Sequence, residues 1–189
     1  MHTAPALPWA FNARLVLTLG DRRIYRSAAP ELRGPELEEP PAGVLWVDLR
    51  SPHERVDKEW LGDEWTRAEI DLIPGVAAVK PGTHTYEVLS KIDFGAMYVQ
   101  MVERAQERFA RVVTTIAEAE TDVLVACAGG RDRTGLVSAM LRDLAGHDRA
   151  TILADYERTN EAGDGLWDAM VRAGLVAPGM LSGGSFPVL

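Results

Sequence analysis

The sequence predicts an α/β fold in which a central, mostly parallel β-sheet is flanked by helices. Two short apolar runs, residues 44–49 and 123–125, have the aliphatic and β-branched composition that is typical of buried strands. Two longer segments, residues 86–119 and residues 134–144, repeat apolar residues at helical spacing, which predicts amphipathic helices. Strand-like and helix-like segments therefore follow one another along the chain, as they do in α/β proteins.

Length and composition predict a single domain that covers residues 1–189. The chain has 189 residues, of which 47% are hydrophobic and 25% charged, and these are ordinary values for a globular protein with a sizeable core. Residues 1–14 predict an irregular N-terminal arm that packs aromatic side chains onto the body. Residues 177–189 contain Gly, Pro and Ser and predict a loose tail.

The charge and cysteine content exclude several function classes. The net charge of −8 argues against nucleic-acid binding, because proteins that bind nucleic acids present a basic surface. No apolar run is long enough to span a bilayer, so we expect no stable membrane insertion. The single cysteine excludes an internal disulfide and the N-terminus does not resemble a secretory signal, which favours the cytoplasm; export without an obvious signal stays open.

Turn residues predict how the remaining strands begin and end. Residues 15–19 and 22–26 flank the pair Gly20-Asp21 and predict a β-hairpin. Residues 68–73 predict a further strand, which ends before a Pro-Gly pair. Residues 74–85 predict a mobile segment, and the sequence leaves open whether this segment covers a site.

The helical segments also carry boundary signals. Gly95 predicts a break that divides residues 86–119 into a short and a long helix. Thr151 predicts the N-cap of a later helix, and residues 166–171 predict the last helix.

The stretch V-L-V-A-C-A-G-G-R-D-R-T-G, residues 123–135, carries the chemistry. It predicts a strand, a tight loop that contains two glycines, and a helix, with Cys127 at the end of the strand and Arg133 at the start of the helix. A loop wound over a helix N-terminus directs several backbone N–H groups into one small space, and with a guanidinium these groups form an anion site. Such a site favours the thiolate, which is the form of cysteine that attacks.

This stretch resembles the cysteine-dependent phosphatases, in which five residues separate a cysteine and an arginine. The run A-G-G-R-D-R-T-G at residues 128–135 is similar to the A-G-K-D-R-T-G loop of bacterial tyrosine/serine phosphatases of the dual- and lipid-specificity type. The flanking segments at residues 22–28, 47–54 and 154–160 also resemble that family, in the same order. The resemblance implies a protein-tyrosine-phosphatase-like fold with the phosphate loop between a strand and a helix.

The resemblance implies hydrolysis of phosphate monoesters through a phosphocysteine on Cys127, without a metal or cofactor. Asp132 is the first choice for the general acid and Asp48 the second, while Thr134 is expected to hydrogen-bond the thiolate. Arg26 and Arg50 are expected to bind the substrate. The expected partner is a phosphorylated protein, lipid or small molecule. The expected phosphate-binding residues are Ala128, Gly129, Gly130, Arg131, Asp132 and Arg133.

Each assignment has a structural alternative. Cys127 could be a small buried core residue, and Asp132 could brace the loop through backbone N–H groups. Asp48 and Arg50, and likewise Arg26, could belong to ion pairs at strand ends.

Two departures from the family sequence favour other functions. Ala126 replaces the histidine that usually precedes the cysteine, and Arg131 replaces a lysine. The alternative function is therefore a pseudo-phosphatase that binds phosphorylated ligands with little turnover. A third function, arsenate reduction or sulfur transfer, ranks low because a lone cysteine cannot form an intramolecular disulfide relay.

Overall fold

The structure is a computed structural model that describes residues 8–32, 41–55, 65–73 and 93–175. Within these residues five strands form one sheet in the order β1-β2-β5-β3-β4, and the predicted hairpin is the antiparallel pair β1–β2. The other neighbours, β2–β5, β5–β3 and β3–β4, are parallel. The strands are β1 Arg14–Leu19, β2 Arg22–Ser27, β3 Leu45–Asp48, β4 Thr66–Glu69 and β5 Val123–Ala126.

Five α-helices accompany this sheet in the described residues, so the predicted α/β fold with a mostly parallel sheet is confirmed. The same described residues also contain three short 3₁₀-helices, at Pro30–Leu32, Pro52–Glu54 and Arg158–Ala162. The α-helices are α1 Phe94–Arg104, α2 Gln106–Glu118, α3 Asp132–Leu144, α4 Arg149–Glu157 and α5 Gly163–Arg172.

The alternation of side chains along the strands builds a core on each face of the sheet. On one face, Val47 and Val125 pack among the apolar side chains of α2 and α3, such as Val112. On the other face, Trp46 and Leu124 pack with residues of the N-terminal segment. That second core includes an edge-to-face contact between Trp9 and Tyr25, whose ring centroids are 6.0 Å apart.

Three predicted boundaries differ from the structure. The helical region breaks at Ala105, whose φ of −124° ends α1, whereas Gly95 lies in the first turn of α1. Strand β4 begins two residues earlier than residue 68. The N-cap of α4 is Asp148, whose carboxylate accepts from the N–H of Thr151 at 2.9 Å, so Thr151 lies inside the helix. In each case local propensity was outweighed by hydrogen bonds or packing that depend on the neighbouring residues.

Several predictions concern residues outside the described ranges, namely the first part of the N-terminal arm at residues 1–7, the mobile segment at residues 74–85, the start of the helical region at 86–92 and the tail at 177–189. Among the residues that the structure does describe, no helix has the length and apolar character needed to cross a bilayer.

Candidate active site

The predicted anion loop connects β5 to α3 and lies at one edge of the sheet. Ser27 at the end of β2 and Asp48 at the end of β3 both pair with Ala126, so the carboxyl ends of the three parallel strands are level. Ligands of open α/β sheets bind beyond these ends. Cys127, which directly follows β5, therefore occupies the position where this architecture places a site.

The carbonyl groups of the loop point into the body of the protein. The Ala128 carbonyl accepts from the N–H of Ala29 at 2.9 Å. The Gly130 carbonyl accepts from the Asn12 side chain at 2.9 Å and from Arg26 at 2.7 Å. No peptide bond of the described chain is cis. Because C=O and the following N–H point in opposite directions across a trans peptide, the N–H groups that follow these carbonyls point away from the body. The loop thus presents backbone donors on its outer side.

Gly130 is the residue that permits this loop to lie so close to β2. Its φ is +65°, and a Cβ built on it would lie 2.4 Å from the carbonyl oxygen of Ser27. Only glycine fits both the left-handed backbone and this approach.

The start of α3 adds further donors to the same side. The helix begins at Asp132, and the N–H of Gly135 bonds to the Arg131 carbonyl at 2.8 Å. The N–H groups of the residues before Gly135 lie in the first turn. They have no carbonyl partners inside the helix. Together with the helix dipole, they favour an anion in front of the loop.

Glu54 orients the Arg133 side chain through a bidentate ion pair. The distance from Nη1 to Oε2 is 2.6 Å and that from Nη2 to Oε1 is 2.5 Å, and Nη1 also donates to the Leu49 carbonyl at 3.4 Å. A guanidinium has five N–H donors. These contacts leave the Nε–H and one Nη2–H on the same edge, and such an edge matches two oxygens of a phosphate.

The Arg133–Glu54 pair is ionised throughout the neutral range. Burial alone would lower the pKa of Arg133, but the hydrogen bonds of Glu54 and the charges of Cys127 and Glu54 raise it above its usual value. Burial alone would raise the pKa of Glu54, but the hydrogen bonds and charge of Arg133 hold it below its usual value.

Glu54 is a site residue that our sequence analysis did not identify. It closes a capping box on the turn Pro52–Glu54, where its carboxylate accepts from the N–H of Ser51 at 2.9 Å. The S-x-x-E spacing from Ser51 was the available signal for that local role. Its pairing with Arg133, 79 residues later, had no local signal.

We predict that Glu54→Gln lowers kcat/KM for p-nitrophenyl phosphate by roughly tenfold to a hundredfold, because Arg133 loses the partner that aims its free edge. Steady-state kinetics measures this effect, and thermal unfolding checks that the variant folds. The matched control is Glu69→Gln, in which the carboxylate pairs with Arg55 and is half-exposed. Equal kinetics for the two variants would contradict the orienting role of Glu54.

Cys127 lies deep beside the loop, with only 3% of its surface exposed. Cys127 belongs to the larger core cluster, as the structural alternative for this residue expects, and it also interacts electrostatically with two buried guanidinium groups. Burial and the charge of Arg14 lower the pKa of Arg26 to about 10, and the charges of Asp155 and Cys127 oppose that shift. The charge of Cys127 likewise raises the pKa of Arg133.

Thr134 has an unused hydroxyl. The residue is fully buried in the first turn of α3, and its Oγ1 has no hydrogen-bond partner. Buried hydroxyls without a partner are costly, and they are explained when a ligand or a reacting group supplies the partner.

Asp132 is the part of the loop that faces outwards. Its side chain is 39% exposed and lies 3.7 Å from Arg131 Nε. One carboxylate oxygen, Oδ1, accepts a hydrogen bond from the hydroxyl of Tyr98. Arg131 itself stacks over Phe94, with its Cζ 5.0 Å from the ring centroid.

Asp48 occupies a buried ion pair, which was the structural alternative to a catalytic role. It meets Arg50 through two hydrogen bonds of 2.9 Å, and both side chains are fully buried. Burial alone would raise the pKa of Asp48, but Arg50 and Arg67 hold it below its usual value. An aspartate that stays ionised is poorly suited to be a general acid, so this placement argues against the second choice.

Arg26 and Arg50 are also placed differently from our tentative assignment to substrate binding. Both are 0% exposed, and Arg50 pairs with Asp48 and Glu31. Arg26 donates to the Gly130 carbonyl at 2.7 Å and so contacts the loop from behind. These positions do not support direct substrate contacts; the two side chains stabilise the loop and the adjoining strand end.

Three buried arginines surround the single carboxylate of Asp155 behind the loop. The nitrogen–oxygen distances to Arg14 and Arg26 are 2.9 Å, and that to Arg142 is 3.3 Å. Arg14 also donates to the Asn12 carbonyl at 3.2 Å, and the Asn12 side chain in turn holds the loop. Three guanidinium groups against one carboxylate leave an excess of positive charge behind the loop, which adds to the field that favours an anion.

The described residues contain no group of three or more His, Cys, Asp or Glu side chains arranged to hold a metal ion. The donors that the structure places around the loop are backbone N–H groups, a guanidinium and a hydroxyl, which suit an oxyanion.

Known proteins that are similar to this chain are phosphatases. The sequence model of a tyrosine phosphatase family matches residues 20–177. A tyrosine-protein phosphatase of Nostoc commune is 40% identical over 113 residues, which are 59% of this chain and 38% of that protein. The triple specificity protein phosphatase PtpB of Mycobacterium tuberculosis is 47% identical over 58 residues, which are 31% of this chain and 21% of that protein. The chain thus spans less than two thirds of the length of these curated relatives.

Proposed function

Because the chain belongs to the tyrosine phosphatase family, we propose that it hydrolyses phosphate monoesters through a phosphocysteine intermediate on Cys127. The observation that carries the proposal is the loop itself. Its carbonyls are tied back by Ala29, Asn12 and Arg26, so its N–H groups face outwards beside the free edge of Arg133. Donors that are held in place before the substrate arrives stabilise the charge that builds up on phosphoryl oxygens in the transition state.

In the first step the Cys127 thiolate attacks phosphorus, so the S–P bond forms while the P–O bond to the leaving group breaks. Asp132 gives its proton to the leaving oxygen. In the second step Asp132 takes a proton from water, whose oxygen bonds to phosphorus while the S–P bond breaks. The unpartnered hydroxyl of Thr134 donates to the sulfur as it leaves.

The proposed substrates are phosphotyrosine or phosphoserine in proteins, or a phosphoinositide, and the proposed compartment is the cytoplasm. The guanidinium of Arg131 adds a positive charge to the loop next to Asp132, and this charge supports an acidic or multiply phosphorylated substrate. Phe94 holds this guanidinium by a cation–π contact of 5.0 Å.

A second candidate is a pseudo-phosphatase that binds phosphorylated ligands with little turnover. Two observations favour it: Ala126 stands where relatives carry histidine, and Cys127 is only 3% exposed. This candidate predicts that phosphopeptides bind in competition with inorganic phosphate while no phosphate is released.

The proposal is tested by rapid quenching during turnover of p-nitrophenyl phosphate, followed by mass spectrometry of the peptides. We expect one phosphoryl group on the peptide that contains Cys127. The Thr134→Val variant keeps the shape of the side chain and removes the hydroxyl, so it should increase the trapped fraction. Turnover with the phosphoryl group on another residue would contradict the covalent mechanism, and binding without any turnover would favour the pseudo-phosphatase.

A further inference from the structure

Two tyrosines from different helices converge on Asp132. Tyr98 of α1 hydrogen-bonds Asp132 Oδ1, and the hydroxyl oxygen of Tyr156 of α4 lies 2.6 Å from that of Tyr98. The two rings meet edge to face, with centroids 6.3 Å apart. Tyr98 is only 6% exposed, whereas the Asp132 side chain is 39% exposed, so the contact is made on the inner side of the carboxylate.

The direction of these hydrogen bonds follows from the chemistry of the groups. A phenol hydroxyl has one hydrogen to donate. The hydroxyl of Tyr98 donates it to the Asp132 carboxylate, which can only accept hydrogen bonds when it is ionised. Tyr156 must therefore donate to Tyr98. Burial, followed by the charge of Asp132, raises the pKa of Tyr98 above its usual value, so Tyr98 remains a donor at neutral pH.

Gly135, which follows the loop, leaves room for the ring of Tyr156. A Cβ built on Gly135 would lie 2.8 Å from Cε2 of Tyr156, so a larger residue would displace the ring. Gly135 thus allows Tyr156 to rest on the first turn of α3, next to the carboxylate that the pair holds.

We propose that Tyr98 and Tyr156 are positioning residues: Tyr98 donates to Oδ1 of Asp132, Tyr156 donates to Tyr98, and together they direct Oδ2 towards the leaving group. The inference rests on the proposed function, in which Asp132 is the general acid. Oδ1 can accept from Tyr98 whether or not Oδ2 carries a proton, so the same contact serves both steps of the reaction.

The test compares two substrates that differ in their need for protonation. p-Nitrophenolate is a weak base and leaves with little help, whereas phenolate needs a proton from the acid. We expect Tyr98→Phe to lower kcat/KM for phenyl phosphate by about tenfold and that for p-nitrophenyl phosphate by less than about threefold. The Tyr156→Phe variant, which removes only the outer hydroxyl, should show the same pattern with a smaller loss.

The matched control is Tyr25→Phe, which removes a hydroxyl from the core on the opposite face of the sheet and should affect both substrates equally little. In the Asp132→Asn background, Tyr98→Phe should have no further substrate-dependent effect, because the pair acts through the carboxylate. Equal losses on both substrates for Tyr98→Phe and Tyr156→Phe would overturn the positioning role. If Asp132→Asn itself shows no preference between substrates, the assignment of Asp132 as general acid fails instead, while trapping on Cys127 remains an independent result.

Discussion

Replacing Cys127 with serine is expected to lower kcat for p-nitrophenyl phosphate by roughly 10⁴-fold or more. The serine hydroxyl remains protonated at neutral pH and is a weak nucleophile without an adjacent base. The oxyanion donors are unchanged in this variant, because they are backbone N–H groups and Arg133. Binding of inorganic phosphate, measured by calorimetry or as competitive inhibition, should therefore stay within a few-fold of the wild-type value.

Arg133→Ala, unlike Cys127→Ser, is expected to weaken phosphate binding as well as turnover. It keeps the sulfur and removes the guanidinium, so both phosphate binding and turnover should fall. It also leaves the Glu54 carboxylate without its partner, which adds a stability cost that thermal unfolding would report.

Turnover by Cys127→Ser at a rate near that of the wild type would refute nucleophilic catalysis by this cysteine.

Asp155→Asn is expected to have the largest effect on stability, with a loss of about 3–5 kcal/mol in the free energy of unfolding. Asparagine has nearly the same shape, so the change removes the negative charge and leaves Arg14, Arg26 and Arg142 buried without a counter-ion. Chemical denaturation measures the loss. The control is Asp148→Asn, because this exposed N-cap accepts asparagine well and should change stability little. Equal stabilities of the two variants would contradict the role of Asp155.

The same cluster predicts how stability depends on pH. Burial alone would raise the pKa of Asp155, but the charges of Arg26, Arg14 and Arg142 hold it below the usual value of 3.8. A carboxyl group with a lower pKa in the folded than in the unfolded protein stabilises the fold fully above its unfolded pKa. This contribution is lost as the pH falls from about 4 through the folded value. Asp155→Asn should therefore flatten the acid limb of the stability profile.

Local patterns predicted the parts of the site that are contiguous in the chain. The strand before Cys127, the tight turn at Gly130 and the helix that begins near Arg133 follow from apolar spacing and glycine placement. The hairpin and the last helix were predicted for the same reason. The helix break predicted at Gly95 from local propensity is wrong, because the helix breaks at Ala105 instead.

The remaining parts of the site depend on residues that are distant in sequence. Glu54 is 79 residues from Arg133, and Tyr98 is 34 residues from Asp132. Asn12 is 118 residues from Gly130. No periodicity or spacing rule links such pairs, because the topology of the sheet and the packing of the helices bring them together. For the same reason Arg26 and Arg50, which lie near strand ends in the sequence, could not be recognised as buried.

The central position of β5 has a consequence for how the molecule opens. Its backbone forms hydrogen bonds to β2 on one side and to β3 on the other. Neither side of β5 can therefore open without breaking the hydrogen bonds to a neighbouring strand. Amide hydrogens in this strand should exchange with solvent only through global unfolding, whereas those of the edge strands exchange through smaller fluctuations. The strand that leads into Cys127, the proposed nucleophile, should therefore be among the last segments to lose its structure, and partial denaturation should affect it later than the edge strands.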